Sequence, residues 1–225
     1  MGLAELSANA QNYLKAVWGL AEWSDEPVTA SDIAAKTGMK TSTVSGAVAK
    51  LADQGLLEHA RYGAVSLTPE GERYAVAMVR RHRLIETFLV QVLDYRWDQV
   101  HDEADRLEHV VSDLMVERMA ERLGHPTRDP HGDPIPDASG AVVRPDAAQL
   151  LTVAPGSRVR VERISDDDPS MLQHFADHGL DIGVTATVEE PAPYADALSL
   201  RIDGRDAPLP LGQAASAAVW VSLID

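Results

Sequence analysis

Four residues able to hold a metal ion, His101, Asp105, Glu108 and His109, follow one another at relative positions 0, 4, 7 and 8. At about 100° per residue of helix these positions fall near 0°, 40°, −20° and 80°, a stripe roughly 100° wide. The apolar Val100, Leu107, Val111 and Leu114 occupy a different sector, so the stripe is not the main core face. Upstream, His82 and Glu86 form an i,i+4 pair that meets this stripe if the two helices pack antiparallel across their short connection. Imidazoles and carboxylates at these spacings suit a divalent first-row cation. The sequence has no cysteine, which excludes disulfides, thiolate zinc sites and thiol redox chemistry. An acidic helix also solvates such residues; it is the two spaced His/carboxylate groups together that point to a metal.

Other candidates carry less. His174 and His178 are an i,i+4 pair and could bind Zn(II) in principle, but surface or capping roles suit them better. Trp18, Trp23 and Trp97 read as core or interface residues. Asp166 and Asp167 read as solvated surface carboxylates.

The elements that must position the ligands follow from periodicity. Tyr13, Leu14, Val17, Trp18 and Ala21 mark an amphipathic helix over 8–23. Thr29 with Asp32 approximates a capping box, and Gly38 suits a turn after a short helix. The next helix puts Val44, Val48 and Leu51 on one face and stops at Gly55. A short helix, a glycine turn and a second helix rich in small polar residues describe a helix-turn-helix. Alternation around a Tyr62–Gly63 turn adds a two-stranded wing, and Thr68–Pro69 starts a helix running to about Val92. A further single helix is expected from about Asp98 to Leu123. Residues 124–149 contain five prolines and read as an irregular interdomain linker. Four β-rich runs beyond it, with a short helical stretch near PSMLQHFADHG, fit a small β-barrel of about 75 residues.

Composition bounds the function. The 225 residues suffice for two or three domains, and the net charge is −15. Residues 1–84 hold nine basic and nine acidic residues, so the whole deficit lies in residues 85–225, with 11 basic and 26 acidic. The N-terminal part is therefore neutral and able to present a basic face, although composition alone would not suggest DNA. No apolar stretch of about 18 residues occurs and the first residues lack a basic leader, so no membrane association and a cytoplasmic location are expected.

RRHRLIETFL (80–89) and VHDEADRLEHVVSD (100–113) resemble the metal-site helices of the diphtheria toxin repressor family of iron- and manganese-dependent repressors. The resemblance covers the whole chain. It implies an α+β multidomain protein: a winged helix-turn-helix DNA-binding domain (1–74), a helical dimerisation and metal-binding domain with its proline-rich linker (75–145) and an SH3-like β domain (146–225). It implies a homodimer that binds a palindromic operator on double-stranded DNA when loaded with metal, controls metal-homeostasis genes and is not an enzyme. His82, Glu86 and His101 match ligands of an ancillary site, completed from the SH3-like domain by Asp168; Met171 stands where iron-type members have an amide. Asp105, Glu108 and His109, with Asn12 from the first helix, match the primary, regulatory site. Iron-type members have cysteine at the position of Asp105 and manganese-type members a carboxylate, and a hard oxygen ligand favours Mn(II). Asn12 is the ligand of neither subtype. Mn(II) is the expected effector and Fe(II) the alternative, with Co(II) or Zn(II) expected to substitute in vitro. On DNA, Thr41, Ser42, Thr43 and Ser45 are candidates for base and phosphate contacts, Lys40 and Lys50 for phosphate, and Arg61 for the wing. Two other readings are a metal-dependent hydrolase that activates water at the His/Asp cluster and a repressor whose effector is a small organic molecule.

Overall fold

The computed structural model describes residues 2–59, 63–190 and 197–224. The chain divides into two compact units, residues 1–82 with 136–141, and residues 83–135 with 142–225.

The first unit opens with α1 (Ala8–Glu22), whose N-terminus is capped by the Ser7 side chain accepting from Ala10 N–H. Tyr13, Leu14, Val17 and Trp18 are buried on its inner face. Thr29 and Asp32 form the expected capping box of α2 (Ala30–Thr37), which ends on Gly38 at φ +66°. A left-handed φ of this kind is one that glycine adopts without strain. α3 (Thr41–Asp53) buries Val44, Val48 and Leu51. β1 (Leu57–His59) and β2 (Val65–Leu67) pair antiparallel, Leu57 opposite Leu67. Tyr62 and Arg61, expected in the wing, lie outside the described residues. Thr68 Oγ1 then donates to Gly55 O at 2.7 Å and accepts from Gly71 N–H at 3.0 Å, tying the start of α4 (Pro69–Leu93) to the end of the helix-turn-helix. Gly71 is packed so tightly that an added Cβ would lie 1.8 Å from Leu56 O.

α4 continues into the second unit, where Leu84, Ile85 and Leu89 join a core with Val100, Ala104 and Met119. The single helix expected over 98–123 is two. After a 3-10 turn at Trp97–Gln99 come α5 (Val100–Leu107) and α6 (Asp113–Arg122), separated by a turn at residues 108–112. Ser112 causes the break: its side chain accepts from Met115 N–H and starts a new helix, after the β-branched pair Val110–Val111.

Among the described residues the C-terminal β domain is a six-stranded antiparallel sheet in the order β3-β8-β4-β5-β6-β7. Its strands are β3 (Ala148–Gln149), β4 (Arg158–Ile164), β5 (Thr185–Glu189), β6 (Leu198–Ile202), β7 (Leu209–Leu211) and β8 (Val219–Leu223). α7 (Pro169–His178) buries Leu172 and Phe175 in the sheet core, and a short α8 (Gln213–Ala217) precedes β8.

The proline-rich segment is irregular, as expected, but it is not a solvated tether. Residues 131–136 are all buried. Asp133 lies 3.3 Å from Arg83 of α4 and 2.8 Å from Arg163 of β4, so one carboxylate joins the helical part to the sheet. Arg163 also stacks over Trp220, 4.2 Å from the ring centre. Gly132 lets two backbones touch, since a Cβ there would come within 2.1 Å of Glu162 O.

Candidate metal centre

α4 and α5 bring Glu86 and His101 together inside the second unit. Glu86 is 1% exposed, and its Oε1 lies 3.5 Å from His101 Nδ1. The carboxylate delivered by the β domain is Asp166, with Oδ2 2.6 Å from the same nitrogen. Asp168 is engaged elsewhere, because its Oδ1 accepts from Ser170 N–H and Met171 N–H and caps α7. An aspartate just before Pro169 at the first helical turn is the residue type that such a cap requires. Asp166, read from sequence as a solvated carboxylate, is thus the one placed at His101. Burial works against charge on His101, but Asp166 and Glu86 outweigh it and push its pKa up to about 11. The site is built to hold positive charge. His82 lies one turn before Glu86 on α4 and is 6% exposed.

Sequence reasoning missed two residues beside Glu86. His131 and Asp129, both in the proline-rich segment, approach Glu86 closely enough for the three to share an ion, and all three are buried. His131 Nε2 is 2.9 Å from Trp97 O and its ring stacks on Trp97 at 5.9 Å, which fixes its orientation. Among the described residues its Nδ1 has no hydrogen-bond partner. Burial opposes charge here too, yet the Glu86, Asp166 and Asp129 carboxylates raise the His131 pKa to about 9. No periodicity marks such residues in an irregular segment; the only sequence signal is the run Asp129-Pro130-His131 itself.

The second cluster lies at the end of α5. Glu108 is fully buried, and its Oε1 is 3.5 Å from His109 Nε2. Asp105, half-exposed, has Oδ2 3.8 Å from His101 Nε2, so it stands between the two groups. In the first unit Asn12 Oδ1 is buried without a hydrogen-bond partner among the described residues. An unpaired buried acceptor is costly unless a donor or cation completes it. The carboxylate oxygens and imidazoles gathered in the second unit, free of sulfur, fit a divalent cation of the Mn(II) or Fe(II) type.

Lys40, which precedes α3, and Thr41, Ser42, Thr43, Ser45 and Lys50 on it are all exposed, whereas Val44, Val48 and Leu51 are buried. Ser45 Oγ donates to Thr41 O at 2.9 Å. Arg61 lies outside the described residues.

Comparison with known proteins matches three segments of the chain. Residues 5–65 match the N-terminal DNA-binding domain of iron dependent repressors, residues 68–137 their metal binding and dimerisation domain, and residues 148–223 the FeoA domain. The chain is 33% identical over 198 residues to the iron-dependent repressor IdeR of Mycobacterium leprae (strain TN), covering 82% of this chain and 85% of that protein. It is 31% identical over 196 residues to the diphtheria toxin repressor of Corynebacterium glutamicum, covering 83% and 86%. Among solved structures, a manganese-dependent transcriptional repressor in complex with manganese superposes with a TM-score of 0.91 at 49% identity, over 96% of this chain and all of that one. The structure of the manganese regulator SloR superposes at 0.81 with 31% identity, over 97% of this chain and all of that one. With a winged DNA-binding domain, a helical domain carrying His/carboxylate clusters and an SH3-like β domain, the chain belongs to the diphtheria toxin repressor family of metal-dependent transcriptional repressors.

Proposed function

We propose that this repressor acts in the cytoplasm as a homodimer that binds a palindromic operator when loaded with Mn(II), and that Asn12, Asp105, Glu108 and His109 form its regulatory site. The observation that carries this reading is the buried Asn12 Oδ1 on α1, unpartnered among the described residues. It is an oxygen in want of a cation on the first helix of the DNA-binding domain. A divalent ion supplies positive charge and fixed coordination directions between Asn12 and the α5 cluster. Asn12 then holds α1, and with it α3, in one orientation, which sets the spacing of two recognition helices on successive turns of DNA. Lys40 and Lys50 contact phosphate, and Thr41, Ser42, Thr43 and Ser45 contact bases or phosphate.

Mn(II) is favoured over Fe(II) by the carboxylate at position 105 and the absence of sulfur donors, and by the manganese named for the solved structure that is 49% identical to this chain. The relatives named as iron-dependent support Fe(II) as the second reading. His82, Glu86, His101 and Asp166 form the ancillary site, with Asp166 in place of the Asp168 expected from sequence; the supports are the His101 contacts and the one-turn spacing of His82 and Glu86 on α4. Dimerisation is supported by the match to a dimerisation domain and by Val110 in the α5–α6 turn and Leu114 and Met115 at the start of α6, all exposed apolar residues.

Calorimetric titration of metal-free protein with Mn(II), anaerobic Fe(II), Co(II) and Zn(II), paired with gel shifts at fixed salt on an operator selected from random duplexes, tests the proposal. Mn(II) is expected to induce operator binding by a dimer, and Asp105→Ala to abolish it. Unaltered metal-dependent binding by Asp105→Ala would overturn the site.

A further inference from the structure

Lys15 Nζ lies 3.2 Å from His82 Nδ1, and the imidazole is 6% exposed. We infer that Lys15 is a built-in cationic occupant of the His82 imidazole, which metal must dislodge, so that loading the ancillary site releases a contact between α1 and α4. The inference rests on the proposed role of His82 as a ligand.

The argument is one of hydrogen-bond valence. An ammonium has three N–H donors and no lone pair, so it can only donate. Nδ1 must therefore present its lone pair to Lys15, and in the neutral ring the proton sits on Nε2. An ion bound to the ring needs a lone pair as well. If it takes Nδ1, it takes the electron pair that Lys15 uses. If it takes Nε2, the proton there must leave and the neutral ring carries it on Nδ1, where an N–H then faces the ammonium donor to donor. Whichever nitrogen ligates, the Lys15 contact cannot survive in its present form. Lys15 also puts a positive charge beside a nitrogen destined for a dication, which lowers affinity by direct repulsion.

The placement of Lys15 gives the exchange a consequence. It follows Asn12 by three residues on the same helix α1. Metal binding at His82 gives up this contact, which joins α4 to the helix that also carries Asn12. Lys15 thereby sets the metal threshold of the ancillary site and links its filling to the helix that carries the DNA-binding domain.

The test uses the full-length, chelator-treated protein titrated with Mn(II) or Co(II) alone. Lys15→Met is expected to tighten binding at the His82-dependent site roughly tenfold, since a charged hydrogen bond no longer has to be broken; Lys15→Arg, which keeps donors and charge, is expected to titrate like the wild type. Nitrogen-15 NMR of the metal-free wild-type ring is expected to show the Nε2–H tautomer of His82. Superimposable Lys15→Met and wild-type titrations, weaker binding in Lys15→Met, or an Nδ1–H tautomer in the metal-free protein would each overturn the inference. If Lys15→Met does not fold, the tautomer decides. His82→Ala separates this inference from the reading beneath it: if that variant binds metal as the wild type does, the ligand assignment fails, whereas if it loses a site while Lys15→Met is unchanged, only the role of Lys15 fails.

Discussion

In the proposed regulatory site Asp105 and Glu108 balance a dication, so the residue at 12 sets whether the cluster carries charge in excess of neutrality. Asn12→Asp is expected to tighten Mn(II) binding by about tenfold or more in calorimetry, because a carboxylate is the stronger partner for a hard cation. His101 makes the metal-free protein sensitive to pH. Its folded pKa of about 11 exceeds the ordinary histidine value of 6.5, so its contribution to stability is complete below about 6.5 and is lost as pH rises towards 11. The urea midpoint of chelator-treated protein should therefore fall between about pH 6.5 and about pH 9, and Asp166→Asn should flatten that slope; a flat wild-type profile would refute the His101–Asp166 pairing. At this scale the sequence was informative where helical spacing carried the signal, as at His101 and Glu86. It was silent where a loop did: Pro169 marks Asp168 as the cap of α7, but nothing in the sequence tells Asp166 from Asp167 as the residue that faces His101.

Helix boundaries show the same asymmetry among elements. The Thr29–Asp32 box and the turn at Gly38 were legible because capping is local chemistry. The break after α5 was not, because apolar spacing runs through it and only Ser112 announces a second start. Ser112→Ala is expected to cost about 1 kcal/mol in denaturant unfolding by removing that cap. Gly71→Ala should cost more, roughly 2–4 kcal/mol, because a methyl group cannot fit against Leu56 O without moving α4 from the wing strands. An equally stable Gly71→Ala protein would show that this contact yields easily. The long apolar runs of the β domain identified strands, but the order β3-β8-β4-β5-β6-β7 depends on long-range pairing that no local pattern encodes.

For the molecule as a whole, the five prolines suggested an irregular linker between domains, and residues 131–136 of that segment are interior structure. Composition marks the lack of helix but says nothing of Asp133 holding Arg83 and Arg163 at once. Breaking that buried arrangement by Asp133→Ala should destabilise the protein by roughly 3–5 kcal/mol in thermal or urea unfolding. The charge distribution has a measurable counterpart: Lys40→Gln and Lys50→Gln should each reduce the slope of log affinity against log salt by about one, if each neutralises one phosphate. The exposed face of α3 offers just these two lysines, on a chain with a net charge of −15. If these two lysines supply most of the grip on phosphate, the protein is expected to dwell only briefly on non-cognate duplex. It is then expected to find its operator by repeated collision from solution more than by sliding, which single-molecule tracking on operator-free DNA would check.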